Sequence, residues 1–455
     1  MSKKQLPIAH RLQPLPRVLL ASAVAVAATL ALVASPASAQ NLSTLYEAAR
    51  GYDATVLAAR AQALSVEARA AQSDALLRPT VSATASLTGT RTDPPASGAT
   101  TTQTAAAGLQ GRYPLFNRSS QLSVDQAQRS LESSQAELAA AEQDLIVRLS
   151  QAYFDVLAAQ DALGTTRQNK AAITEQLASA KRNFEVGTAT ITDTREAQAR
   201  FDLAGAQEIA AENDLRAKRI ALDQLVGRTD VAPRPLAVPV VLPTLTPTNP
   251  EEWVNVGDAQ HPTVRRARVG LEVARLETGK ARAGELPTVD AVASVGLSNN
   301  TGSGTNAFTR GTGNTSSIGV QLNWPLFTGG SVQNRIKETL ALETKAENDL
   351  QAARRTVAQV TRVAFFGVQS GQAQVKALEA AEASSKLALE ATQLGYRVGV
   401  RVNLDVLNAQ RDLFTTQRDL ARARYDVLVG NLRLRQASGQ LTAADLDRIN
   451  GLLAK

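Results

Sequence analysis

Two hydrophobic periods run through this chain. Apolar residues fall at every second position in four short stretches and at helical spacing almost everywhere else. Thr80 to Thr88 alternates strictly, with Val81, Ala83, Ala85 and Leu87 on one side and Ser82, Thr84, Ser86 and Thr88 on the other. That pattern predicts a strand with one weakly apolar and one polar face. A partner strand carries Ala105, Ala107, Leu109 and Tyr113 on one face and Gln110 and Arg112 opposite, with a Gly/Pro/Ser/Thr turn from Gly89 to Thr102 between them. Pro114-Leu115-Phe116 closes the hairpin. The same design returns later. Val289, Ala291, Ala293, Val295 and Leu297 alternate within Thr288 to Ser298. Ile318, Val320, Leu322 and Trp324 then face away from Gln321 and Asn323, after a Gly/Asn/Thr loop over Asn299 to Thr315. Strands of about nine to eleven residues suit a tilted crossing of an outer membrane.

The remaining stretches predict helices. Asn41 to Leu77 is helical, with a break near Gly51 to Asp53, and Arg78-Pro79 ends it. From Arg118 to Val186, Leu131, Leu138 and Leu145 fall seven apart, followed by Leu149, Val156 and Leu163. At ~1.5 Å per residue this is a rod of roughly 100 Å. A helix so long, with so thin a heptad-like stripe, is a coiled-coil arm that must pack against several neighbours. After a tip at Gly187, Thr192 to Val226 returns as a second helix capped by Gly227. Six prolines between Arg228 and Pro250 mark an extended boundary. Trp253 to Leu286 then predicts a helix ended by Pro287, and a second long arm, tip and return helix lead to Gly439.

The halves match at landmark residues, with the offset growing across the hairpin. Pro287 follows Pro79 by 208 positions, while Phe365-Phe366 follow Tyr153-Phe154, and Gly399, Asp405 and Gly439 follow Gly187, Asp193 and Gly227, by 212. The expected division is a leader over 1–39, a first repeat over 40–228 with its hairpin at 80–113, and a Pro-rich linker over 229–250. A second repeat over 251–439 has its hairpin at 288–324, and a tail over 440–455 has no pattern that places it. Each tip reads as an aromatic, a Gly stop, a β-branched turn and an acid in the next helix: Phe184 to Asp193, then Tyr396 to Asp405. Gly at such a stop takes positive φ without a Cβ clash. Asp in a first turn faces the positive end of the helix dipole.

Composition narrows the function. Lys3, Lys4, Arg11 and Arg17, the apolar run Val18 to Val33 and Ala37-Ser38-Ala39 form an export signal with a cleavage site, so Gln40 is the expected first residue of the exported chain. The leader holds four of the 49 basic residues and none of the 42 acidic ones, so the net charge falls from +7 to +3 without it. That mild balance does not imply nucleic acid. There is no Cys, and beyond the leader only His261 remains, which argues against a His/Cys metal site and against an enzyme. His261 precedes Pro262 and reads as a helix-start residue. No Gly-rich phosphate loop precedes a helix, and no cofactor is expected.

Four strands cannot close a barrel in lipid, where each unpaired backbone group costs several kcal/mol. The strands must pair with those of other copies: two copies give eight strands, three give twelve and room for a lumen. A soluble coiled-coil scaffold of the periplasm is the alternative from a different class, and a porin-like diffusion channel is another.

Ala152-Tyr153-Phe154-Asp155-Val156-Leu157, Arg182 to Gly187 through Ile191-Thr192-Asp193, and Gly395 to Gly399 through Asp405-Val406-Leu407 resemble the TolC-type outer-membrane factors, as do Tyr113-Pro114-Leu115-Phe116 and Trp324-Pro325-Leu326-Phe327. The resemblance spans the exported chain. It implies a mixed but mostly α fold: a homotrimer with a twelve-stranded transmembrane β-barrel, four strands per protomer, and a long periplasmic α-barrel. An equatorial belt would take the linker and the tail. The implied function is an exit duct in the outer membrane, in contact with its lipid, for type I secretion or drug efflux. The implied partners are an inner-membrane transporter, of ABC or RND type, and a periplasmic membrane-fusion adaptor. The missing lipidation Cys leans towards the unlipidated branch. The resemblance makes Thr192, Asp193, Tyr396 and Arg401 polar links of a periplasmic gate, and Asp405 part of an acidic constriction. One turn further, where the family pattern has a second acid, this chain has Asn408. The expected consequence is weaker cation selectivity and weaker block by multivalent cations.

Overall fold

The computed structural model describes residues 40–93, 95, 98–305 and 310–454. The expected leader lies outside the described residues. A first pass of elements comprises α1 (Leu42–Tyr52), α2 (Ala54–Asp74), a 3-10 turn at Ala75–Leu77, β1 (Thr80–Thr92), β2 (Thr100–Phe116), α3 (Arg118–Glu185) and α4 (Ile191–Val226). A second comprises α5 (Pro250–Gln260), α6 (Pro262–Ala283), β3 (Thr288–Thr301), β4 (Gly311–Asn323), α7 (Ser331–Arg397) and α8 (Asn403–Ala437), with α9 (Ala444–Asn450) after it.

Each pass begins with a broken helix. Asp53 caps α2 by accepting from the Thr55 and Val56 amides at 3.1 and 3.0 Å. Its carboxylate also takes two bonds from the Arg148 guanidinium on α3, at 2.9 and 3.2 Å. That guanidinium holds the Asp53 carboxyl well below the usual carboxylate range. In the second pass the expected single helix over Trp253–Leu286 is two helices. His261, 208 positions after Asp53, is extended and caps α6, its Nδ1 accepting from the Thr263 amide at 3.1 Å. Pro262 lacks an N–H, which suits a first helical position and ends the helix before it. Burial lowers the His261 pKa, favouring the neutral ring that this cap requires.

The four strands form one antiparallel sheet in the order β1-β2-β3-β4. Cross-strand rows keep the two faces distinct. Ala83, Leu109 and Val295 share a row, as do Val81, Gly111, Ala293 and Ile318. The opposite face carries the row Ser82, Gln110, Ser294 and Ser317, where the two serine hydroxyls of β3 and β4 lie 2.8 Å apart. The apolar face is open: Val81 is 75% and Ile318 90% exposed. β1 and β4 each have one edge unpaired among the described residues. The strands outrun their alternating cores, because Thr92 pairs with Thr100 and Asn300 with Gly311. β2 also runs through Pro114 rather than ending there, with a register shift between Pro114 and Phe116. A bulge is where a strand tolerates proline's missing donor.

At 68 residues, α3 is about 100 Å long. Its N-terminal part packs on α2 and α6, its C-terminal part on α4 and α8. The largest core gathers around its middle, where Leu145, Leu149, Tyr153 and Phe154 meet Leu42 of α1, Leu222 of α4 and Leu428 of α8. The tail joins this core through Leu446, Ile449 and Leu453, and the Ala454 amide donates to the Pro235 carbonyl at 2.8 Å. Tyr153 fixes the linker there: its hydroxyl accepts from the Arg234 amide at 2.7 Å. Burial pushes that phenol up to about 12. Among the described residues no helix is long and apolar enough to cross a membrane.

Candidate functional site at the helix tips

The two hairpin tips are built alike. α3 and α7 both end in a left-handed glycine, Gly187 at φ 81° and Gly399 at φ 82°. At the first tip the Gly187 amide donates to the Phe184 carbonyl at 3.0 Å and the Thr188 amide to Asn183 at 2.8 Å. At the second, Gly399 donates to Tyr396 at 3.1 Å and Val400 to Gly395 at 2.9 Å. This double bond pattern closes a helix C-terminus and satisfies carbonyls the helix leaves open.

The returning helices share the acid of the first turn but not the residues before it. Thr190 precedes α4 and forms a capping box with Asp193: the Asp193 amide donates to the Thr190 hydroxyl at 3.2 Å, and the Thr190 amide to Asp193 Oδ2 at 2.9 Å. The Thr190 hydroxyl donates to the same oxygen at 2.7 Å. Val402 holds the equivalent place before α8 and has no hydroxyl to offer. Asp405 is therefore free of its own cap, and its carboxylate lies 3.6 Å from Arg401 Nη1. Two differences, Thr190 against Val402 and Ala189 against Arg401, thus leave two equivalent carboxylates with different partners.

Within the chain Arg401 and Tyr396 bond to residues outside the expected gate set. Arg401 meets Asp405, and Tyr396 accepts from Asn183 Nδ2 at 3.3 Å. Among the described residues no hydrogen bond or ion pair joins Asp193 to Tyr396 or to Arg401. Thr192 and Arg401 are exposed. Asn408 lies one turn beyond Asp405 and accepts from Arg200 Nη2 of α4 at 3.2 Å.

Three residues of the site carried no functional reading from sequence. Asn403 is buried to 1% exposure, bonded to Gln176 of α3 and donating to the Asp193 carbonyl at 3.5 Å. Asn183 and Arg200 make the other links between hairpins. Their partners stand more than 200 positions away, so local patterning gives no sign of them. Thr190 reads in sequence only as part of a β-branched turn, although Thr-x-x-Asp before a helix is a capping-box signature that could have found it. Beneath the tips, Ile173, Leu177, Ala180, Ala197, Ala204 and Leu407 make a small core that ties α3, α4 and α8 together.

The model of the family described as outer membrane efflux protein matches residues 45–228 and 254–440. The outer membrane protein TolC of Vibrio cholerae is 33% identical over 425 residues, spanning 93% of this chain and 96% of that protein. The alkaline protease secretion protein AprF of Pseudomonas aeruginosa is 35% identical over 311 residues, 68% of this chain and 64% of that protein. Among solved structures, a membrane protein from Pseudomonas aeruginosa superposes with a TM-score of 0.77 at 22% identity, covering 88% of this chain and 93% of that one.

Proposed function

The chain belongs to the outer membrane efflux protein family and is an outer-membrane channel, and from that premise we propose that three copies close one duct across the outer membrane and the periplasm. The observation that carries this reading is the four-stranded sheet, whose apolar face is exposed and whose two outer edges are unpaired among the described residues. Such edges are stable in lipid only when another chain completes them. Three sheets give twelve strands, enough for a lumen lined by the Ser/Gln/Thr face. The helices make the same demand. Phe154 is 1% exposed, yet its counterpart Phe366 is 52% exposed beside the exposed Val360 and Val363 of α7. A second copy would cover that stripe.

The tips serve as the gate in this reading. Asp193 Oδ2 is occupied by Thr190, but the carboxylate keeps acceptor capacity on its other oxygen. Thr192, Tyr396 and Arg401 supply hydroxyls and a guanidinium able to link tips of adjacent copies. Each link near water is worth about 1 kcal/mol or less. A ring of them biases a closed state that a docked partner can override. The partners are an inner-membrane transporter and a periplasmic adaptor, and the cargo is exported protein, small toxic solutes, or both. The protease-secretion name of one relative and the efflux description of the family support that pairing.

Single-channel recording in a planar bilayer tests the gate. A small conductance that rises at least severalfold in Asp193→Ala and Arg401→Ser is expected, with the copy number unchanged on native gels. A large conductance, indifferent to both changes, would remove the gate and leave a porin-like channel.

A further inference from the structure

Arg200 is absorbed by neither the gate nor the core. It sits half-buried on α4, and its guanidinium reaches across to the other hairpin, where Nη2 donates to Asn408 Oδ1 at 3.2 Å. Asn408 lies three residues after Asp405 on α8, so the two share a helix face. Asp405 already has Arg401 at 3.6 Å, four residues before it. The strip therefore runs guanidinium, carboxylate, then an amide that seats a second guanidinium. Among the described residues Arg200 has no carboxylate partner. An acid at position 408 would neutralise it, whereas an amide accepts its hydrogen bond and brings no charge.

We propose that Arg200 determines the ion selectivity of the entrance, by holding a positive charge on Asn408 that offsets the cation preference of Asp405. One helical turn is about 5.4 Å, inside the ~8 Å screening length of physiological salt, so the two charges act on the same permeating ion. Substituting the acid by Asn408 does more than delete one ring of negative charge. It leaves a seated cation in that ring's place, so the closed entrance passes small anions nearly as readily as small cations. The proposal rests on the reading of Asp405 as the constriction.

The test is the reversal potential of single channels under a tenfold potassium chloride gradient. The wild type is expected near parity of potassium over chloride. Arg200→Gln should raise that ratio about threefold or more, while Arg200→Lys, which keeps the charge, should stay near wild type. Asn408→Asp alone should raise the ratio about as far as Arg200→Gln does, because the new acid neutralises Arg200 and removes the offset. Combined with Arg200→Gln it should give the strongest cation preference of the set. Asp405→Asn isolates the underlying reading and should lower the ratio. If Asp405→Asn lowers it and Arg200→Gln leaves it unchanged in an intact assembly, Arg200 has no part in selectivity. If Asp405→Asn has no effect, the constriction reading fails and takes this proposal with it.

Discussion

Val402 stands where Thr190 stands in the first half, and Arg401 where Ala189 stands. Thr190 ties up Asp193; Val402 leaves Asp405 to Arg401. Val402 is 57% exposed, so Val402→Thr adds an oxygen without disturbing a core. It should complete a capping box with Asp405, steady the start of α8 by about 1 kcal/mol and draw the carboxylate away from Arg401. Hydrogen exchange at the Asp405 amide should slow by about fivefold; an unchanged rate would mean that the hydroxyl does not cap. Much of the tip was legible at this scale, because helix stops and caps are written in adjacent residues: Gly187 and Gly399 take positive φ. The links from Asn183, Gln176 and Arg200 were not legible. Each depends on how one hairpin lies against the other, and polar residues on solvated helix faces look alike in sequence.

Broken helices and overlong strands show where elements depart from their periodicity. Proline marked the break before α6 less plainly than it should have, since apolar spacing continues from Trp253 through Val264 and hides the extended residue between. Strand ends were underestimated for a related reason. Thr92, Thr100 and Gly311 are held by ladder bonds and have no apolar partners to reveal them. The break at Asp53 makes a prediction about elements. The folded pKa of Asp53 is depressed, so its pairing with Arg148 contributes fully above the unfolded value near 4 and is lost as pH falls through and below that value. Asp53→Asn keeps a good N-cap while removing the charge, which isolates the ion pair. With Arg148 about a third exposed, the loss at pH 7 should be about 2 kcal/mol. Thermal melting between pH 7 and 3 should fall less steeply in Asp53→Asn than in the wild type. Parallel slopes would mean that the pair does not couple α2 to α3.

At the scale of the whole molecule, the two faces of the sheet predict different tolerance of charge. Leu109 lies on the apolar face between Ala83 and Val295, and Ser82 on the opposite one. Leu109→Arg should destabilise the membrane-inserted protein by about 2 kcal/mol or more, and Ser82→Arg by much less. Urea titration of folded protein in lipid vesicles measures both, and a larger loss for Ser82→Arg than for Leu109→Arg would mean that the faces have been assigned the wrong way round. The face assignment was legible, because period-2 alternation survives whatever closes the sheet. Copy number was not, because no local pattern records how many chains meet. The β2–β3 pairing joins hairpins from different halves, so a single chain already makes the seam that a neighbour's β1 would complete against β4. A ring closed this way alternates seams within a chain and seams between chains, all of one hydrogen-bonded kind, and its local symmetry is twice its copy number. At the helix tips the Thr190/Val402 difference breaks that doubled symmetry. Every second tip is fastened by its own hydroxyl and every other one is not, so a closed ring of such tips has its weak members built in at alternate places.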